Sequence, residues 1–497
     1  MMNIFIDPWK KVSSSRTYSA VIAAILAATM VATPLLVPAA ETAPITETAI
    51  PGNKPWIGDF DGMAKRRQIR ALVVYSKTFY FLDKGQQRGL SYDLLKEFEQ
   101  YVNKKQKTGT LKIEIIFFPV RRDEIVPGLV KGFADIAVAN LTITPQRQKQ
   151  VAFSDPWLTD VKELLVTGPA APPVVSVDDL AGKEVHVRKS SSYYESLMQL
   201  NGVFKKAGKK PIKLVLADEM FQDEDLLEML GAGLIPMIVM DSHKAQFWEQ
   251  ILDDIKVHPD IAVRTGGEIA WAFRKNSPKL EAVVNEFVRG HKKGSLLGNM
   301  LFKRYLRDTQ YVKNSASEQE LKKFRNMVQY FKSYADRYDF DYLMIGAQAY
   351  QESGLDQSKR SPAGAIGVMQ VLPSTASDSN VGIPNIEKLE NNIHAGTKYM
   401  RFIVDRYFKD PSIDKVNRML FAFAAYNAGP ARINDLRKKT AKMGLDSNIW
   451  FHNVEMAAAK EIGRETVQYV GNIYKYYIVY RTLSAQREAK ENLLKKK

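Results

Sequence analysis

An α/β unit followed by an all-helical unit is the fold this sequence predicts, and three observations carry the prediction. Short apolar runs alternate with amphipathic helical stretches from Ile69 to about residue 300. After residue 320 apolar residues recur at helical spacing with scarcely any strand signal, and a polar stretch divides the two regimes. At 497 residues the chain has room for about three units of roughly 150 residues each.

Taken in order, Lys10, Lys11 and Arg16 precede an apolar run from Tyr18 to Val37 that ends in Val37-Pro38-Ala39. This is the layout of a signal peptide or membrane anchor over residues 1–39, and Ser19, Thr29, Thr33 and Pro34 dilute the run enough to favour export with a cut after Ala39. Residues 40–68, rich in Thr and Pro, read as a tether. The α/β unit is expected over 69–305, with strands at Ala71–Tyr75, Ile113–Phe118 and Pro236–Met240, a helix at Tyr92–Tyr101, and mostly parallel pairing. A linker at 306–320 leads to a helical unit at 321–485 containing Phe324–Tyr338, Tyr342–Glu352, Asn392–Tyr407 and Arg418–Tyr426. A basic tail, 486–497, is expected to fray.

The formal net charge of +16 points to an anionic partner: cell-wall polymer, anionic lipid or nucleic acid. No zinc-finger or RNP pattern is present, so nucleic acid is set aside. With no cysteine there is no disulfide, thiol nucleophile or lipid-bearing cysteine. The six histidines (186, 243, 258, 291, 394, 452) lack metal-ligand spacing, so neither metal nor cofactor is expected.

The chemistry concentrates between Ala347 and Ala376. Tyr342, Ile345, Ala349 and Glu352 share one helix face, which places a carboxyl on a largely apolar stripe before Gly354 stops the helix. Lost hydration should raise the pKa of Glu352 toward the range of a general acid. Gly364 and Gly367 would let backbone approach a ligand or the helix itself. Asp356 and Asp378 lie nearby in sequence but outside any motif.

Glu352-Ser353, Gly364-Ala365-Ile366-Gly367-Val368-Met369-Gln370 and Ala425-Tyr426-Asn427-Ala428-Gly429 resemble three successive motifs of the lysozyme-like lytic transglycosylases, and Glu465–Val470 resembles a fourth. The resemblance implies that Glu352 is the acid, with Ser353, Gly367, Met369, Gln370, Tyr426, Asn427 and Tyr469 as substrate contacts. Each has a plainer reading, a backbone-bonded hydroxyl for Ser353 and core packing for Met369 and Tyr426. It also implies a peptidoglycan glycan strand as substrate, cut at MurNAc–GlcNAc β-1,4 bonds to leave 1,6-anhydroMurNAc ends.

Gly132–Ala137, Leu141–Arg147 and Phe153–Trp157 resemble family 3 bacterial solute-binding proteins. The resemblance implies a two-lobed periplasmic-binding-protein-like fold, lobe one at 69–168 plus 263–305 and lobe two at 169–262, hinged near Thr167 and Val263. It further implies that Arg147 grips a ligand carboxylate, Asp241 a ligand amino group, and Ser191 an anion at a helix start, the ligand being amino-acid-like or a muropeptide. Across 69–485 the chain resembles the membrane-bound lytic murein transglycosylase F family, which implies a periplasmic protein peripherally associated with a membrane, the outer membrane by resemblance. A hydrolase on the same fold, or a solute receptor with a degenerate appended domain, are the alternatives.

Overall fold

The computed structural model describes residues 54–83, 86–314 and 318–495. The expected signal or anchor segment lies outside them.

The α/β half is built on eleven short strands among the described residues: β1 (Gln68–Val73), β2 (Phe81–Asp83), β3 (Gln86–Arg88), β4 (Glu114–Pro119), β5 (Ile136–Thr142), β6 (Ala152–Phe153), β7 (Leu158–Thr167), β8 (Glu184–Arg188), β9 (Lys213–Ala217), β10 (Met237–Asp241) and β11 (Lys256–Phe273). Nine form one sheet in the order β4-β1-β5-β11-β7-β10-β8-β9, with β6 beside β11, while β2 and β3 make a separate hairpin. The expectation of mostly parallel pairing needs correction. β1–β4, β1–β5, β8–β9 and β8–β10 are parallel, but β11 runs antiparallel to β5, β6 and β7, as β7 does to β10. Two crossing strands reverse direction at the centre, and apolar content does not encode strand direction.

Those crossings make two lobes of one sheet. Glu163 on β7 already pairs with Asp241 of the second lobe, so β7 leaves lobe one near Val161 rather than near Thr167. On β11 the register shifts repeatedly between His258 and Ile269, and such bulges bend a strand from one lobe into the next.

Part of the expected tether is folded. Asp59 caps the helix Phe60–Lys65, Phe60 and Met63 are buried, and the Arg66 guanidinium lies 3.7 Å from the centre of the Trp56 ring. The expected linker is also anchored: Tyr311, in the short helix Gln310–Asn314, stacks on Phe81 at 5.7 Å and on Phe247 at 6.1 Å, one ring from each lobe.

The C-terminal half is helical: Glu318–Arg337, Tyr342–Ser353, Leu389–Tyr407, Lys415–Ala428, Pro430–Lys442 and a last helix, Arg464–Lys495, which runs past the expected start of the tail. This last helix has no single apolar face, because its buried residues meet two different clusters. Val470 and Ile473 join the helical core, whereas Ile478 packs with Leu72, Ile116 and Phe118 of lobe one. Lys475 reaches Glu114 of β4 at 3.2 Å, and Gly471 leaves room for that carboxylate: a Cβ there would stand 3.2 Å from it. At the other end of the contact Arg67 pairs with Glu455 at 2.5 Å.

Candidate active site

Glu352 is the penultimate residue of the helix Tyr342–Ser353, whose end is set by Gly354 at φ 69°. Its carboxyl is half-buried and accepts a short hydrogen bond from the Tyr469 hydroxyl, which comes from the last helix. Burial pushes its pKa up to about 7, against the opposing pull of Tyr469 and of the Lys359 ammonium. Lys359 is itself tethered to the helix end, donating to the Glu352 carbonyl at 2.8 Å. Tyr426 and Tyr469 are both pushed well above the usual phenol range, by burial first and then by the Glu352 charge, so two neutral phenols flank the carboxyl.

The glycine loop is held as a rigid ledge beside this acid. Asn392, fully buried in the helix Leu389–Tyr407, accepts from the Met369 N–H at 2.7 Å and donates to the carbonyls of Ile366 at 2.7 Å and Ile386 at 3.1 Å. Gln357 accepts from the Val368 N–H at 3.1 Å and donates to Ile386 at 3.0 Å. Gly367 sits between these amides at φ 77°, where a Cβ would stand 2.6 Å from Gln357 and 2.7 Å from Asn392. Only glycine fits that position. Gln370 adopts φ 47°, rare for a residue with a side chain, and its amide donates to the Gly367 carbonyl at 2.8 Å.

The structure sorts the expected contacts. Glu352, Tyr426 and Tyr469 come together; Asn427 is exposed and accepts from Thr466 at 2.7 Å; Gln370 is half-buried. Ser353 and Met369 require correction. The Ser353 hydroxyl is buried and bonds to the carbonyls of Ala349 and Val368 at 3.1 and 2.9 Å, so it ties the helix end to the ledge. Met369 is fully buried against Gly396, and its carbonyl, not its side chain, serves the site by accepting from the Tyr426 hydroxyl at 2.8 Å. Gly367 is buried too and acts through loop shape. Sequence reasoning missed Asn392, Gln357 and Lys359: each is a polar residue outside any motif, ordinarily solvated, and the partners of Asn392 and Gln357 lie on distant segments.

The two carboxyls nearby in sequence are both committed to other partners among the described residues. Asp356 is held below the usual range by hydrogen bonds from Ser358, side chain and backbone, and Asp378 likewise by Asn380.

In the cleft between the lobes the expected ligand grips are engaged internally. Arg147 donates to the carbonyl of Thr142 in lobe one and of Ser190 in lobe two, both at 2.9 Å. Asp241 accepts from Asn140 at 2.8 Å and pairs with Lys244 at 3.0 Å; burial works to raise its pKa, but the Lys244 ammonium wins and holds it below the usual range. Its Oδ1 has no hydrogen-bond partner among the described residues. Ser191 caps the helix Ser192–Lys206, accepting from the Tyr194 N–H at 3.3 Å, and its hydroxyl donates to the Arg188 carbonyl at 2.7 Å. Glu224 of lobe two accepts from Ser76 and the Lys77 N–H at 2.7 and 3.0 Å, completing a closed pair of lobes.

This pairing of halves defines a class: a solute-binding domain carried by a transglycosylase. The family described as bacterial extracellular solute-binding proteins, family 3, matches residues 72–306, and the transglycosylase SLT domain matches residues 329–448. A protein of Desulfosudis oleivorans named membrane-bound lytic murein transglycosylase F is 28% identical over 459 residues, covering 86% of this chain and 95% of the relative. One of the same name from Pseudomonas fluorescens is 27% identical over 432 residues, covering 82% and 84%. Among solved structures, a binding component of an ABC transporter from Wolinella succinogenes, complexed with lysine, is 22% identical with a TM-score of 0.42, covering 50% of this chain and 100% of that one. Over most of its length the chain is thus similar to proteins named membrane-bound lytic murein transglycosylase F, with a solute-binding domain ahead of a transglycosylase domain. Among the described residues no helix is long and apolar enough to cross a membrane.

Proposed function

We propose that this protein cleaves peptidoglycan between MurNAc and GlcNAc without water, leaving 1,6-anhydroMurNAc ends. The observation that carries the reading is a single half-buried carboxyl with a pKa of about 7, set between two neutral phenols. Glycoside cleavage ordinarily takes two carboxyl groups. With one, the second nucleophile must come from the substrate. Protonated Glu352 gives its proton to the leaving glycosidic oxygen as the C1–O bond breaks. The resulting carboxylate then takes the proton of the MurNAc C6 hydroxyl as that oxygen bonds to C1, which restores the acid. A pKa near neutrality lets one group serve in both forms. Tyr469 holds the carboxylate oxygen through its hydroxyl, and Gln370, Tyr426 and Asn427 line the groove. Digestion of purified sacculi followed by mass measurement tests this: anhydro ends should dominate, and products heavier by one water would make the enzyme a muramidase.

The solute-binding half is proposed to sense an amino-acid-like or muropeptide ligand through Arg147 and Asp241, in an exported protein that works in the periplasm beside a membrane. Ligand entry must part the contacts among Arg147, Ser190, Ser76 and Glu224, and lobe one is joined to the catalytic half through Ile478 and Lys475. A hinge motion of this kind changes activity by roughly 5–150-fold at coupling energies of about 1–3 kcal/mol. Turnover on sacculi with and without stem-peptide fragments measures it; an unchanged rate would leave the halves uncoupled.

A further inference from the structure

A cleft of about 600 Å³ opens where the two halves meet, away from Glu352 and from the cleft between the lobes. One wall is the helix Leu90–Lys105, which contributes Lys96, Gln100 and Lys104 at successive turns; the other is the last helix, which contributes Gln468, Asn472 and Lys475. Lys107, Lys112 and Glu114 line it as well. Two of the five lysines are neutralised, Lys96 by Glu99 and Lys475 by Glu114. Lys104, Lys107 and Lys112 have no carboxylate partner among the described residues, and Lys112 makes one bond, to the Thr108 carbonyl at 2.9 Å. The side-chain amides of Gln100, Gln468 and Asn472 are likewise uncommitted among the described residues. Three ammonium groups without a carboxylate partner, beside three uncommitted amides among the described residues, make a concave surface for a polar, multiply charged anion, and the volume suits a few residues of a peptide or glycan.

We infer that this cleft is a second binding site for the wall polymer, holding carboxylates of its peptide stems while Glu352 acts elsewhere on the strand; the inference rests on the wall-cleaving reading above. Amide lining and concavity favour a peptide-bearing glycan over a lipid surface, which protruding lysines with apolar neighbours would serve better. The position fits as well: Gln468 precedes Tyr469, the hydrogen-bond partner of Glu352, so polymer seated here lies along the helix that completes the catalytic site. Anchoring of this kind raises the local concentration of substrate without touching the chemical step.

The test uses the full chain with the triple substitution Lys104→Glu, Lys107→Glu, Lys112→Glu, at positions that are exposed or half-buried. Co-sedimentation with purified sacculi in low salt should weaken by about tenfold or more, and the difference should shrink as salt screens it. Wild-type protein should fall to the same level on sacculi whose carboxylates have been converted to amides, while turnover of short soluble glycan fragments stays unchanged in the variant. Equal retention of variant and wild type, or undiminished binding to amidated sacculi, overturns the inference. Loss confined to phosphatidylglycerol vesicles would assign the cleft to a membrane and overturn it too. Failure of the wall-cleaving reading is recognised separately, by the absence of anhydro products.

Discussion

The catalytic site and the cleft between the lobes present the same residue types in opposite states. Glu352 stands half-buried with one neutral donor beside it, and its pKa of about 7 leaves it free to change protonation. Arg147 and Asp241 are more deeply buried, yet each is already bonded to the protein, Arg147 to two carbonyls and Asp241 to Asn140 and Lys244. A motif places a group; its partners decide whether it is available. Glu352 is available as it stands, whereas Arg147 and Asp241 would have to give up contacts that keep the lobes together before meeting a ligand.

The largest test of this contrast is Glu352→Gln, expected to cut muropeptide release by about 10²–10⁴-fold with the fold intact, read from sacculus digestion beside circular dichroism. Residual activity above a tenth of wild type would move the acid elsewhere. Arg147→Ala comes next. Calorimetry with amino acids and stem-peptide fragments should show binding weakened by about 2–5 kcal/mol, with basal cleavage unaffected in ligand-free buffer.

A third measurement follows from linkage. A carboxyl whose folded pKa is raised from 4.5 to about 7 favours the folded state in its protonated form. Its ionisation therefore removes stability as pH rises through that window. Glu352→Gln, which cannot ionise, should gain about 2–3 kcal/mol on wild type between pH 4 and pH 8 by denaturant unfolding. No pH dependence in the difference would mean the carboxyl is well solvated. The smallest effect is expected from Tyr469→Phe. Because the Tyr469 hydroxyl lowers the Glu352 pKa, its loss should move the pH profile of cleavage upward, with the fold retained.

Much of this was legible in the sequence for physical reasons. The apolar stripe of Tyr342, Ile345, Ala349 and Glu352, stopped by Gly354, is local information, and so is the glycine at 367. Burial of Met369 was not, because whether a methionine faces a groove or Gly396 depends on a helix some thirty residues on. The mixed pairing of the sheet and the internal pairing of Asp241 with Lys244 were hidden for the same reason: both arise from contacts between distant segments.

The last helix carries one more consequence. β4 is the outermost strand of its sheet, and the segment bearing Gly471, Lys475 and Ile478 lies against it. A chain cut short before residue 470 would leave that strand without its cover, and an uncovered edge strand is a template for pairing with other chains. Premature termination should therefore yield aggregates rather than a soluble sensor, so the end of the polypeptide guards the solubility of its beginning.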